Sequence, residues 1–236
     1  MALKLAVVTS HPIQHFAPWH REIARLGGVD LRVFFCCDWG VNEYLDPEFQ
    51  IKIKWDIPLL EGYEHEFLPM PRRPERLSFW EVDNPTVGAA LDRFAPDVVQ
   101  VFGYARRTNW RTVGWAKRRS VPVLLYSDSN VKTDVSLWRR AAKRVVVRRF
   151  YDRVDGAFYC GDNNRDYHRR YGLPPERLFP GGDPSFSTDQ NPSQVCYQIP
   201  GTFDVTLITT NAGGNDTLML TDYITVYPTP PFPTIV

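Results

Sequence analysis

Over the first 178 residues, apolar side chains occur in short continuous runs separated by longer amphipathic stretches. The runs are rich in Val, Leu and Phe and alternate little, as expected of parallel strands that helices cover on both faces. Strands are predicted at residues 3–9, 31–37, 64–68, 98–102, 121–126 and 157–160. Helices are predicted at residues 16–26, 85–94, 108–119, 134–153 and 163–171. This alternation predicts an α/β fold with a Rossmann-like, doubly wound parallel sheet.

A different pattern follows residue 182, where short runs rich in Thr, Val, Ile and Tyr replace the helix–strand units. Strands are predicted there at residues 194–197, 203–211 and 218–227. Apolar and polar side chains alternate along residues 203–209, which is typical of a strand with one buried face. We therefore divide the chain into an α/β domain at 1–178, an antiparallel β region at 179–228 and a Pro-rich tail at 229–236.

Charge supports this division. All 28 Lys and Arg residues precede Phe179, and together with 22 acidic residues they give the first part a net charge of +6. The last 58 residues contain five acidic residues and no basic residue. A single domain rarely changes composition so sharply, so each part needs its own functional interpretation.

Location and metal content follow from simple limits of length and spacing. No apolar run is long enough to span a bilayer, and the apolar start at residues 3–9 is too short for a secretory signal. We therefore predict a cytoplasmic protein. The four cysteines show no CxxC spacing, which favours buried apolar side chains over a disulfide framework or a zinc site. No metal site is predicted.

The loops that follow the predicted strands are the expected place for a ligand, because doubly wound sheets bind ligands beyond the carboxyl ends of their strands. These loops are dense in His, Asp, Asn, Arg and aromatic residues, which suit a hydroxyl-rich ligand. Polar residues at such positions also cap helices, and that alternative stays open. The predicted substrate-binding residues are Ser10, Gln14, Gly103, Tyr104, Arg106, Ser129, Asn130 and Gly161. A GxGxxG loop and a Walker A lysine loop are both absent from the sequence, which argues against a dehydrogenase or a nucleotide hydrolase.

Four stretches of the first part resemble family 4-like glycosyltransferases of the GT-B fold. They are residues 7–18, 54–63, 96–104 and 172–180, and the resemblance covers about residues 1–180. It implies the N-terminal, acceptor-side half of a hexosyltransferase, in which a second Rossmann-like domain binds the nucleotide-sugar donor. That family commonly has a His at the end of its fourth strand, where this sequence has Gln100 or Phe102.

The resemblance also implies what the chain lacks. Residues 183–236 contain no Glu, Lys, Arg or His, so nothing there could clamp a donor diphosphate. We therefore expect an acceptor-binding half that binds no cofactor and is inactive without the missing C-terminal donor domain. Its expected partner is a carbohydrate or a lipid-linked acceptor. No binding to nucleic acid is expected.

Three residues are candidates for catalysis in such an enzyme. His11 and His15 lie in the first strand–helix loop, and Asp128 is a candidate to orient an acceptor hydroxyl or to act as a base. The alternatives are a helix-capping or solvated His and an ordinary turn at Asp128.

The β region resembles the second half of a PKD domain, an immunoglobulin-like β-sandwich of extracellular proteins. The matching stretches are residues 189–193, 199–207 and 210–217, within about 179–228. The resemblance implies a truncated sandwich and, as an alternative function, a surface binding module. Because the two resemblances meet near residues 179–182 and imply different compartments, a chimeric gene product without its own function is a further alternative.

One predicted helix is both basic and amphipathic. Arg140, Arg144 and Arg148 align at i, i+4 spacing, and Trp138, Ala142, Val145, Val146 and Phe150 form a predicted apolar stripe. Contact with an anionic membrane surface through Trp138 and the three arginines is one interpretation. A covering helix with a solvated basic face is the other.

Overall fold

The computed structural model describes residues 2–14, 16–41, 44–45, 52–53, 58–127, 129, 137–181, 201–211 and 214–226. Its strands are β1 (Leu3–Thr9), β2 (Val29–Phe35), β3 (Tyr44–Leu45), β4 (Lys52–Ile53), β5 (Glu64–Phe67), β6 (Val98–Phe102), β7 (Val123–Tyr126), β8 (Gly156–Tyr159), β9 (Leu178–Pro180), β10 (Gly201–Asn211) and β11 (Gly214–Val226). Its helices are α1 (Ala17–Leu26), α2 (Val87–Phe94), α3 (Arg107–Arg119), α4 (Leu137–Tyr151) and α5 (Asp162–Arg170).

Seven of these strands form one parallel sheet, in the order β5-β2-β1-β6-β7-β8-β9. The chain builds outward from β1 through β2 to β5 and then crosses back, so that β6 pairs with the free side of β1. The strand order therefore reverses between β1 and β6, where a doubly wound sheet opens a crevice at its carboxyl edge. The predicted Rossmann-like parallel sheet is confirmed.

Both faces of this sheet are covered, as the unalternating apolar runs predict. Ala6 and Val8 of β1 lie on one face, in a cluster with side chains of α2, α3 and α4. Val7 lies on the other face with Val33 and partly buried side chains of α1. The core thus lies on both sides of β1, and it holds the polar loops at the carboxyl edge in place.

Four predicted strands, β2, β5, β7 and β8, differ from the prediction by one or two residues at one or both ends, and β9 was not predicted. β2 starts and ends two residues early, but Cys36 and Cys37 follow it with backbone N–H bonds of 2.9 Å to the carbonyls of Thr9 and Ser10. Both cysteines are buried, as predicted. β9 was not predicted at all, because a run containing Pro180 before two glycines reads as a turn. It is the edge strand of the sheet, where a residue without an N–H is tolerated, and the predicted division between residues 178 and 179 falls inside it.

The C-terminal strands form a sheet of their own. β10 and β11 pair in antiparallel register, with Leu207 opposite Leu218 and Val205 opposite Leu220. The two strands predicted at 203–211 and 218–227 are therefore confirmed as an antiparallel pair. The strand predicted at 194–197 lies outside the described residues.

Candidate functional site

The crevice between β1 and β6 begins with the residues that directly follow β1. The carbonyl of Ser10 accepts bonds from the backbone N–H of Cys37 at 2.9 Å and from its thiol at 3.3 Å. The hydroxyl of Ser10 lies 2.9 Å from Nδ1 of His11. The end of β2 therefore fixes Ser10, and Ser10 in turn fixes the imidazole of His11.

The protonation state of His11 follows from its surroundings. Burial first, and the positive charge of Arg106 second, lower its pKa to about 4. The imidazole is therefore neutral near pH 7, and it can accept a proton or a hydrogen bond there.

Arg106 brings a positive charge to the same crevice from the loop after β6. It is the residue before α3, with extended backbone geometry, and its Nη1 donates a 3.0 Å bond to the carbonyl of Ala105. Its Nε is buried without an acceptor, and within the described ranges no carboxylate forms an ion pair with it. Burial lowers the pKa of Arg106, and the nearby thiols of Cys36 and Cys37 act electrostatically on it. An arginine held in this way has donors to spare for an oxygen-rich ligand.

The remaining candidates after β6 have mainly internal partners. Gly103 has a φ of 70°, which favours glycine, and its N–H donates to the carbonyl of Tyr126 at 2.7 Å. The Tyr104 hydroxyl lies 2.5 Å from the hydroxyl of Tyr167 in α5. The structure thus places the Tyr104 hydroxyl in a contact with α5.

The loops after β7 and β8 are joined by a residue that the sequence analysis missed. Asn164 of α5 is buried; its amide donates a 2.5 Å bond to the carbonyl of Ser129, and its Oδ1 accepts from the N–H of Cys160 at 3.0 Å. Gly161, with a φ of 75°, precedes α5 directly. Gln14 is half-buried in the loop after β1, while His15, Asp128 and Asn130 lie outside the described residues.

Aromatic rings line the carboxyl ends of β6, β7 and β8 on the side of α1. The ring of Phe102 lies 4.6 Å from that of Phe16 and 5.1 Å from that of Tyr126, centroid to centroid. Trp19 lies 5.7 Å from Tyr126 and 6.5 Å from Phe158. Of the two residues that correspond to the expected His, Phe102 is thus part of an apolar cluster, and Gln100 is buried.

A second missed residue, Asn84, ties the floor of the crevice together. It is fully buried, and its amide donates bonds of 3.0 Å and 3.1 Å to the carbonyls of Cys36 and Leu68. Its Oδ1 accepts a 2.8 Å bond from the hydroxyl of Thr108 in α3. One side chain therefore joins the ends of β2 and β5 to the start of α3. Only its position before Pro85 marks Asn84 in the sequence.

The basic helix α4 is arranged differently from the predicted stripe. Val147 and Phe150 are buried against the core, whereas Val145 and Val146 are 61% and 52% exposed. The predicted stripe is therefore divided: Phe150 packs against the core, while Val145 and Val146 face solvent. Arg144 and Arg148 are exposed, and the side chains of Trp138 and Arg140 lie outside the described ones.

Two kinds of site are not found in the described part of the chain. Its helices include none with the length and apolar character needed to cross a membrane. Its His, Cys, Asp and Glu side chains form no group of three that could hold a metal ion.

Comparison with solved structures finds one match that supports the fold. UDP-GlcNAc 2-epimerase from Neisseria meningitidis, bound to UDP-GlcNAc, matches with a TM-score of 0.52 and 16% identity over 77% of this chain and 47% of that one. UDP-N-acetylglucosamine 2-epimerase from Rickettsia bellii matches at 0.49 and 16% over 76% and 44%, and MurG from Acinetobacter baumannii at 0.44 and 10% over 80% and 46%. The chain therefore spans less than half the length of these proteins.

Comparison with sequences gives the family. No curated protein matches the chain. The model of the glycosyl transferase 4-like domain matches residues 15–182, which include the loops after β6, β7 and β8. The chain therefore belongs to the glycosyl transferase 4-like family.

Proposed function

We propose that residues 1–178 are the acceptor-binding half of a glycosyltransferase that transfers a sugar from a nucleotide-sugar donor. The observation that carries the proposal is the pairing of a neutral His11 with Arg106, for which the described residues supply no acidic partner, at the carboxyl edge between β1 and β6. Family membership supports the reaction class. The UDP-GlcNAc bound to the Neisseria relative supports a nucleotide sugar as the donor class.

In the proposed reaction the acceptor hydroxyl bonds to the His11 imidazole. As the acceptor oxygen forms its bond to the anomeric carbon, the bond from that carbon to the donor phosphate oxygen breaks, and the hydroxyl proton passes to His11. A base with a pKa of about 4 is weak, but a bound diphosphate would raise that pKa, because negative charge favours the imidazolium. Arg106 would hold an oxygen of the acceptor through its unused donors.

The donor diphosphate needs cations that residues 179–236 cannot provide, since this region contains no Lys or Arg. We therefore propose that a separate donor-binding domain completes the enzyme and that residues 1–236 alone transfer no sugar. Measurable transfer from UDP-GlcNAc by the purified chain would contradict this part of the proposal.

Acceptor binding is tested by comparing Arg106→Ala with Arg144→Ala, which removes the same charge from an exposed position on α4. Glycans that bind the unchanged chain on an array are titrated against both variants. We expect Arg106→Ala to weaken binding by about tenfold or more and Arg144→Ala to leave it unchanged. Equal affinities of the two variants would refute a role for Arg106.

For the region that follows β9, up to residue 228, we propose half of an immunoglobulin-like sandwich of PKD type, and a surface binding module as the second candidate function. The observation that favours it is the apolar strip of β10 and β11, where Leu207 and Leu218 are each 56% exposed, as expected of a sheet without its second layer. Adding a first half of PKD type should protect the hairpin that β10 and β11 form from proteolysis.

The chimeric origin is tested by sequencing the coding DNA across codons 176–184, where independent reads through the junction would exclude an artefact.

We also propose a cytoplasmic location at an anionic membrane surface, supported by the exposed Arg144, Val145, Val146 and Arg148 of α4. Pelleting with liposomes that contain or lack anionic lipid tests this. Equal pelleting with both kinds would end the membrane proposal.

A further inference from the structure

Trp80, in the segment between β5 and α2, exposes an unusually large apolar ring. It is 74% exposed, more than any other large apolar side chain in the described ranges. Its ring meets that of Phe79 edge-on at 5.0 Å, and the guanidinium of Arg107 lies 5.7 Å from its centroid. An exposed indole held between two fixed neighbours presents a flat platform to solvent.

The segment that carries Trp80 is anchored to the carboxyl edge of the sheet. The N–H of Arg107 donates to the carbonyl of Phe79 at 3.2 Å, and the N–H of Thr108 donates to that of Val82 at 3.3 Å. Asn84, four residues after Trp80, is the buried residue whose side chain joins β2 and β5 to α3. The platform is therefore fixed before any ligand arrives, which lowers the entropy cost of binding.

Trp80 forms one wall of a depression of about 460 Å³. Pro71 and Pro74 supply stiff apolar walls, and Arg72, Arg73 and Glu81 supply polar ones. The volume is in the range of small-molecule sites, and the mixture of one ring with several hydrogen-bonding groups is typical of them.

The charges around this depression are mostly paired with one another. Arg72 pairs with Glu75, and Arg73 pairs with Asp38 at 3.3 Å. Asp83 pairs with Arg107 and Arg111. The carboxylate of Glu81 accepts bonds from the backbone N–H groups of Glu75 and Arg76 at 2.8 Å and 2.9 Å. Little charge is left over to attract an ion, so the groups present suit a neutral ligand with many hydroxyls.

We propose that this depression is a saccharide-binding subsite, in which a neutral pyranose stacks its C–H face on Trp80 and its hydroxyls bond to Arg72, Arg73 and Glu81. It lies on a different loop from the crevice of Ser10, His11 and Arg106. Binding there requires neither a donor nor the transfer reaction, so its failure would leave the proposed function untouched.

Trp80 itself provides the signal for the test. The chain has seven Trp residues, each of which gives one indole N–H resonance in a ¹H–¹⁵N spectrum, and Trp80→Ala identifies that of Trp80. Cellobiose, maltose and N,N′-diacetylchitobiose are titrated separately up to about 50 mM, since single-ring contacts give millimolar affinity. We expect one of them to shift the Trp80 resonance saturably. The resonance of Trp115, which bonds to Asp92 inside the fold, should stay in place.

Variants then distinguish stacking of the sugar on the Trp80 ring from a general effect of removing an exposed aromatic ring. Trp80→Phe keeps a ring and should weaken binding only a few-fold, whereas Trp80→Ala should weaken it by about tenfold or more. Tyr223→Ala, which removes a similarly exposed ring from the hairpin, should bind as the unchanged chain does. The proposal is wrong if none of the three sugars shifts the resonance, if Trp80→Ala binds normally, or if the resonance moves only with protein concentration, which would indicate contact between copies of the chain.

Discussion

The strands β1 and β10 form for similar local reasons but differ in what covers them. In β1, Val7 and Val8 are 1% and 0% exposed, because helices lie on both faces of the parallel sheet. In the hairpin, Leu207 of β10 and Leu218 of β11 lie opposite one another and remain more than half exposed. A pattern of β-prone residues is thus enough to form a strand, whereas burial requires a second layer.

The comparison predicts the largest loss of stability when a core side chain is shortened. Phe34 is fully buried in β2, so Phe34→Ala should lower the free energy of unfolding by about 3–5 kcal/mol through lost contacts and a cavity. The matched change Leu207→Ala in the hairpin should alter it by less than about 0.5 kcal/mol. Urea unfolding followed by Trp fluorescence measures both, because all seven Trp residues precede residue 139. A loss above about 1 kcal/mol for Leu207→Ala would show that the hairpin supports the core.

Acid should destabilise the α/β part and spare the hairpin, which contains no His. Burial lowers the pKa values of His20 and His168 to about 4, from 6.5 in an unfolded chain. The unfolded state therefore binds more protons between these values, so stability is complete above pH 6.5 and falls as the pH drops towards 4. Each full shift corresponds to roughly 3 kcal/mol.

Urea unfolding at several pH values between 7 and 4 measures this slope. His11 has a pKa lowered to the same value, so His168→Gln removes one of three shifted groups and should flatten the slope. It also loses the 2.9 Å bond between His168 and the Tyr151 hydroxyl. An unchanged slope in this variant would mean that His168 is not the group that titrates.

A smaller loss of stability is expected when Asn84, which joins β2 and β5 to α3, is replaced. Asn84→Ala leaves the carbonyls of Cys36 and Leu68 without their donor in a buried place, which should cost about 2–3 kcal/mol. Asn84→Asp keeps the shape but places an acceptor against those carbonyls, so it should be no more stable than Asn84→Ala. Urea unfolding compares the two, and an Asp variant as stable as the unchanged chain would contradict the donor role.

The sequence predicts the α/β part well because its strands are buried on both sides. The bounds of β1 and β6 agree with the predicted residues 3–9 and 98–102, since continuous apolar runs end where the polar loops begin. β9 escaped prediction because it is three residues long and includes Pro180, features that an edge strand tolerates but a local pattern does not reveal.

The candidate site was only partly predictable. The rule that ligands bind at the carboxyl edge of the sheet selects Ser10, His11 and Arg106 from the sequence, and these three meet in one crevice. The same rule selects Tyr104, whose hydroxyl bonds to Tyr167 instead. Asn84 and Asn164 were missed because they bond mostly to backbone groups, which every residue type provides equally.

The smallest change in stability is expected when the hairpin is deleted, and this deletion tests directly whether the hairpin and the α/β part are separate folding units. Within the described residues β10 and β11 share no sheet with the α/β part, and none of their side chains is buried. Deleting residues 201–236 should therefore change the free energy of unfolding of the α/β part by less than about 0.5 kcal/mol, within the range of ordinary surface changes. Deleting β9 with them should cost far more, because Leu178 packs against the main core and the strand completes the sheet beside β8. Urea unfolding of the two truncated chains measures the difference. A similar loss in both would mean that the hairpin belongs to the same folding unit as the sheet.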